Sequence, residues 1–326
     1  YDVSVMKDDG TDDLFDRDEV HEIYASWRRI FNEYDPPRMG VAEAWVHANR
    51  RPPYASEKGL GQSFNFDMLG CGWNAKEAKR IASYNLKAAA AVGSSTTWVQ
   101  DNHDVIRHVT RFGAPSVTNW AWWYGKNRLS EKVTAEVIDL ELGTARANAF
   151  TAMLLALPGS SYIYQGEELG LPEVLDIPAE AMQDPQFFRN PELGLSRDGC
   201  RVPLPWERTG SSFGFGSNGS HLPQPAWFGG YSVEAEDGVE GSNLEFYRRA
   251  LHTRRGLLTD ESIRWKNHLF NSKIVHFERA NGWQSITNFG AKPVSLPKGS
   301  VVLTSQPLVG GKLGPNTTAW VMGEPA

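Results

Sequence analysis

Apolar residues at Val20, Ile23, Tyr24, Trp27, Ile30 and Phe31 recur at steps of three and four, which predicts an amphipathic helix. Asp18, Glu19 and Glu22 load its start with acids, as the helix dipole favours, and Asp35-Pro36-Pro37 stops it. Met39 to Val46 is an apolar run broken by one acid, Glu43, and predicts a strand. Ser63 to Leu69 alternates and predicts a second strand; the Ala- and Lys-rich stretch 75–90 predicts a helix. Thr97-Trp98-Val99 reads as a third, buried strand. Arg146 to Leu157 is an apolar helix closed by Pro158-Gly159, and Ser161 to Tyr164 is a fourth strand. Strand and helix thus alternate through the first half of the chain, the order of a parallel sheet with crossover helices.

The predicted strands lead into acids: Glu43, Asp67, Asp104 and Glu167. An α/β barrel places its chemistry at the carboxyl ends of its strands, so this repetition points to one. Residues 172–241 are rich in Gly, Pro, Ser and aromatics and read as one long loop. Asn243 to Arg255 is a further amphipathic helix. From Ser262 onward the runs Ile274–Phe277, Ser285–Asn288 and Ser300–Leu303 are strand-like, with turns such as Asn281-Gly282 between them. The expected organisation is a barrel portion over 1–258 and a small antiparallel β-sandwich domain over 259–326.

Composition narrows the function classes. A net charge of -6 argues against nucleic acid, whose phosphates need a basic face. No apolar run approaches the roughly 18–20 residues of a membrane span. Cys71 and Cys200 stand apart, without a CxxC or a spaced His, so we expect free thiols, no structural zinc and a reducing, cytoplasmic location. The 12 Trp and 10 Tyr offer faces on which sugar rings stack, although aromatics also fill cores. The chain opens on Tyr1 with no visible signal peptide, so it reads as part of a longer product.

Two carboxylates suggest a division of labour. Glu43, in an apolar strand, would be desolvated and held protonated near neutral pH, as a general acid requires. Asp104, beside His103 and near Arg107, would stay ionised. One carboxyl pushed up and one held down is the pairing that glycoside hydrolysis uses. A Glu salt-bridged in the core and a merely polar turn at Asp101-Asn102-His103-Asp104 are the plainer explanations.

Several stretches together resemble a retaining α-glycosidase of the α-amylase superfamily, in its α-glucosidase and oligo-1,6-glucosidase branch. Gly40-Val41-Ala42-Glu43-Ala44-Trp45 is similar to the acid/base strand. Asn102-His103-Asp104, followed by a basic run to Arg111-Phe112-Gly113, is similar to the transition-state stabiliser motif. Tyr164 to Gly170 resembles the last barrel strand, and Arg201-Val202-Pro203-Leu204-Pro205-Trp206 the long loop before the last helix. The resemblance implies the second half of a (β/α)8 (TIM) barrel, strands five to eight. It implies Glu43 as general acid/base and Asp104 as the residue that stabilises the oxocarbenium-like transition state. His103, Asn102 and Arg107 would bind the sugar, with Arg107 at the pocket rim or paired with Asp104. A small oligosaccharide is the expected substrate.

The sequence departs from the pattern at the nucleophile. No Gly-x-Arg-x-Asp segment precedes the acid/base strand, and Asp2-Val3 begins too abruptly to supply it. A retaining mechanism needs a second carboxylate about 5–5.5 Å from the acid/base. The chain alone is therefore expected to be inactive. Four missing strands would leave open edges and an exposed apolar interior, to be covered by the missing first half or by another copy. No cofactor or metal is expected within these residues; a calcium site, common in the superfamily, would lie in the missing part. A trehalose synthase or sucrose-hydrolysing relative, and a catalytically silent sugar-binding or assembly subunit, are the alternatives.

Overall fold

The computed structural model describes residues 15–115, 137–189, 196–268 and 271–323. Helix α1 (Val20–Phe31) leads into strand β1 (Gly40–Ala42), and the short helix α2 (Pro52–Ala55) into strand β2 (Gly61–Ser63). Strands β1 and β2 pair in parallel, with Gly40 opposite Gly61 and Ala42 opposite Ser63. A short helix α3 (Phe66–Leu69) and a long helix α4 (Ala75–Ala90) follow, capped at Asn74, whose side chain accepts the Glu77 N–H. Strand β3 (Thr97–Val99) then pairs in parallel with β4 (Ser160–Tyr162). Between them lie α5 (His108–Gly113) and α6 (Leu140–Ala156). The two strand pairs are linked by side chains. Thr97 Oγ1 donates to the Ser63 carbonyl at 2.6 Å, and Gln62 bridges Ser160 and Tyr162, both at 2.7 Å.

Two element predictions need correction. The first strand stops at Ala42, so Glu43 lies just past its end rather than inside it. The alternation in Ser63–Leu69 does not mark a strand: residues 66–69 are helical and bury Phe66, Met68 and Leu69. Strands of a parallel sheet are covered on both faces and seldom alternate, so alternation was the wrong signal to follow. Asp67 moves with this change. It pairs with Arg51 and accepts a hydrogen bond from Asn85.

The segment after β4 holds two short helices, α7 (Pro185–Arg189) and α8 (Val233–Glu236), before the long helix α9 (Asn243–Leu257). The last part is one five-stranded sheet of β5 (Arg264–Trp265), β6 (Ile274–Glu278), β7 (Trp283–Asn288), β8 (Ser300–Thr304) and β9 (Thr317–Met322), in the order β5-β6-β7-β9-β8. All its pairings are antiparallel. The expected sandwich is, among the described residues, a single sheet packed on a helix. Thr318 Oγ1 and Trp320 Nε1 donate to the Ala149 and Ala152 carbonyls of α6 at 2.6 and 2.9 Å. Arg254 and Arg279 cap the carbonyls at the end of the same helix, Leu155 at 2.7 Å and Ala156 at 2.9 Å. Trp98, Phe150, Tyr247, Phe277 and Trp320 belong to one continuous core, so the α/β part and the sheet share their interior.

One face remains bare. No residue of α1 is fully buried. Val20, Tyr24 and Phe31 turn towards β1, but Ile23, Trp27, Ile30 and Tyr34 are about half exposed, from 46 to 52%. Met39 and Val41 are exposed beside them, and among the described residues β1 pairs with β2 alone.

Candidate active site

Parallel pairing aligns the carboxyl end of β1 with that of β2 and the end of β3 with that of β4, and the residues following β1 and β3 meet. Glu43, His103 and Asp104 each present a polar atom within 4.8 Å of the other two. Glu43 and His103 are exposed, whereas Asp104 is buried. Asn102 shapes the turn: its Oδ1 accepts the Asp104 N–H at 2.8 Å, an Asx turn that orients the next carboxylate. Its Nδ2 has no partner among the described residues. Beneath the site Trp45 stacks on Phe66 at 3.8 Å and 15°, next to Phe64 and Tyr162.

The exposure of Glu43 overturns the argument made from its apolar neighbours. Its carboxylate is not desolvated in this arrangement. Val41 and Glu43 are exposed on either side of buried Ala42.

Arg107 is also not where the sequence suggested. Its side chain turns away from Asp104, and it is 3% exposed. Its guanidinium donates to the Gln165 and Cys200 carbonyls at 2.9 and 3.0 Å and lies over the Tyr164 ring. Its backbone N–H goes to Glu173 Oε2 at 2.9 Å. Gly166 makes room for it. With φ at +92°, a Cβ there would come within 2.7 Å of Arg107 Nη1.

The cations on Asp104 are two arginines from the long loop. Arg197 Nη1 and Arg201 Nη2 both donate to Asp104 Oδ1, at 2.8 and 2.9 Å, and His103 Nε2 lies 3.6 Å from the same oxygen. Arg201 also donates to the His103 carbonyl at 2.8 Å. Arg197 is forked onto Asp184, with Nε to Oδ2 at 2.8 Å and Nη2 to Oδ1 at 2.7 Å. Burial pushes the Asp184 carboxyl up, but the Arg197 fork and two backbone N–H donors outweigh it and hold the acid far below the usual range. Arg197 and Asp184 escaped the sequence reading, and Arg201 was visible only as a loop marker. Arg201 meets its partner across 97 positions, a distance that local pattern does not span.

A second cluster lies deeper. Asp101 Oδ2 is hydrogen-bonded to His108 Nδ1, Asp101 Oδ1 accepts from Arg111 at 2.6 Å, and Glu167 completes the group within 4.8 Å. Burial pushes Asp101 up, but His108 and Arg111 hold it below the ordinary carboxylate value. Glu167 is pushed well above that value by burial, with the Asp101 charge adding to the effect. Either trio has donor atoms a divalent ion could use. In both, however, arginine already balances the aspartate, so a cation would be repelled or would have to displace a guanidinium.

Buried acids beside the site make stability depend on pH. Burial raises Glu173 to about 8 and Glu236 to about 7. The native state then holds protons that the unfolded chain gives up near pH 4.3. Their stabilisation is full below that value and is lost as pH rises through about 7 and 8. Urea melts should therefore show stability falling between pH 5 and 8, by up to about 1.4 kcal/mol per pH unit and per group. Glu173→Gln keeps the acceptor for Arg107 N–H but cannot ionise, so its curve should be flatter. Parallel curves for the variant and the parent would reject this account.

Comparison with known proteins agrees with the geometry. The model of the alpha amylase catalytic domain matches residues 4–260. A probable alpha-glucosidase of Rhizobium meliloti is 34% identical over 168 residues, 48% of this chain and 24% of that protein. A salivary alpha-glucosidase of Aedes aegypti is 24% identical over 301 residues, 86% of this chain and 46% of that protein. The chain thus spans less than half the length of these curated relatives. The crystal structure of an alpha-glucosyl transfer enzyme, XgtA, superposes with a TM-score of 0.73 at 24% identity, covering 96% of this chain and 56% of that one. The fold is accordingly related to the TIM barrel, with an antiparallel sheet at its C-terminal end. With its family model matched across most of its length, and its acids gathered at the carboxyl ends of parallel strands, the chain belongs to the alpha-amylase family.

Proposed function

We propose that this chain is the acid/base half of a retaining α-glucosidase acting on small oligosaccharides, with 1–258 as the barrel part and 259–326 as the β domain. The carrying observation is the meeting of Glu43, His103 and Asp104 within 4.8 Å at the strand ends. In this reading Glu43 donates a proton to the leaving oxygen and later takes one from water. Asp104 faces the positive charge that develops on the sugar ring. It stabilises that charge through Oδ2, while Arg197 and Arg201 both hold Oδ1. His103 and the unpartnered Nδ2 of Asn102 are left to hold sugar hydroxyls. Alpha-glucosidases among the relatives support the reading.

The attacking carboxylate, in this proposal, belongs to a segment outside the described residues. The bare face of α1 and the free edge of β1 would seat further barrel strands, which would also wall the site beside Glu43. The purified 326-residue chain is therefore expected to leave p-nitrophenyl α-glucoside uncleaved. An active polypeptide containing this chain should release the α-anomer of glucose first from maltose, as seen by proton NMR during the first turnovers. Release of the β-anomer would sink the retaining mechanism, and robust turnover by the chain alone would show that it already holds every acid it needs.

A further inference from the structure

The Arg197 fork has an asymmetry that its partners explain. Its Nε and Nη2 are spent on Asp184, and only Nη1 reaches Asp104. We propose that Asp184 is a positioning residue that aims Arg197 at Asp104 before substrate arrives. The inference rests on the reading of Asp104 as the transition-state stabiliser.

Asp184 is built for this task. Its carboxylate is wholly shielded from solvent, and Arg197 contacts it with the side chain and also with its own backbone N–H, at 2.8 Å. Gln186 N–H donates to the other oxygen at 3.0 Å. Asp184 is itself pinned, because its N–H donates to Asp198 Oδ2 at 2.9 Å, and the same oxygen takes Gln183 N–H and Ser196 Oγ. Two aspartates thus tie both sides of the loop together, and Arg197 projects from the knot. A flexible arginine with four side-chain torsions would otherwise sample many rotamers. Clamped at its far edge by a bidentate carboxylate, the guanidinium has one orientation left, and its remaining donor meets Asp104 Oδ1. Arg201 holds the same oxygen from a neighbouring position, so Oδ2 is the one left for the sugar. The charge balance also fits: Asp184 neutralises Arg197, so Asp104 receives an oriented donor without a large excess of positive charge at a site that must itself stabilise a cation.

The variant that tests this is Asp184→Asn in an active polypeptide containing the chain. Asn is isosteric but has one acceptor oxygen, so it can serve only one of the two backbone N–H groups and cannot take a guanidinium fork. Misplacement on the scale of 1 Å costs on the order of 10²-fold in rate. We therefore expect kcat on maltose to fall by about 10- to 100-fold with KM nearly unchanged, since Asp104 acts on the transition state. The melting temperature should drop, because a shielded ion pair is lost, and circular dichroism should still show the parent's fold. A crystal structure of the variant should show the Arg197–Asp104 contact, 2.8 Å here, opened. Arg197→Lys keeps the charge without the fork and should lose kcat similarly. An unchanged kcat with the contact opened would overturn the proposal, as would a retained contact, or a KM increase at constant kcat. If Glu43→Gln leaves maltose turnover intact, the glucosidase reading fails instead, and the crystallographic contact still decides whether Asp184 aims Arg197.

Discussion

In an active polypeptide containing this chain, Glu43→Gln should abolish maltose turnover while sparing much of the first step on α-glucosyl fluoride. Gln is isosteric, but it has no acidic proton to give to a leaving oxygen. General acid catalysis typically supplies 10²–10⁴-fold, so a loss of about that size is expected on maltose. Fluoride leaves with far less help, and a burst of released fluoride should persist. Because Glu43 is exposed at the end of β1, the substitution should barely alter thermal stability. Asp104→Asn should behave differently. It changes the charge facing the sugar ring, so it should slow both substrates alike. Equal losses on the two substrates for Glu43→Gln would remove Glu43 from the acid/base role.

Asp101→Ala should be the most destabilising of the substitutions considered. The Asp101, His108 and Arg111 side chains are each no more than 3% exposed. Removing the carboxylate leaves the buried Arg111 guanidinium bonded to backbone carbonyls but without its charge partner, at a cost of about 3–5 kcal/mol. Part of that loss should be pH-dependent. The Asp101 charge is one of the causes that keep Glu167 protonated, so without it Glu167 ionises more readily and can take over the balancing role as pH rises. The native contribution of Asp101 itself has the opposite sense. Its pKa is lowered on folding, so its stabilisation is present above the unfolded value and fades as pH falls through the folded one. Urea melts between pH 5 and 8 should therefore show the gap between variant and parent narrowing at the alkaline end. The double variant Asp101→Ala/Arg111→Met, which leaves no orphan charge, should be more stable than Asp101→Ala. If the single variant melts like the parent, the cluster is not the keystone of this strand end. Asp101 also opens the turn that carries Asn102, His103 and Asp104, so the unfolding cost and a loss of site geometry should appear together.

Local pattern was enough for the elements whose causes are local. Helix α4 has its Asn74 cap and a periodic apolar stripe, and β3 is a short apolar run; both were legible. The repeated passage from apolar strand to acid pointed to one catalytic end of a parallel sheet, and Glu43 and Asp104 do meet there. Where the reading failed, the deciding energy came from elsewhere in the chain. Residues 66–69 coil because Phe66, Met68 and Leu69 find buried places that an extended segment would not give them. Glu43 is exposed, like Val41 two residues before it, although its neighbours in sequence are apolar. Arg107 follows Asp104 by three residues yet turns under the loop, where it donates to the Gln165 and Cys200 carbonyls. Arg197 and Arg201, more than ninety positions away, reach Asp104 because the loop after β4 folds back across the strand ends. The sequence by itself determined which residue types could do the chemistry and on which end of the sheet they would stand. Tertiary structure alone decided which charges pair, because ion pairs form through space and a buried charge must find its partner wherever the chain brings one.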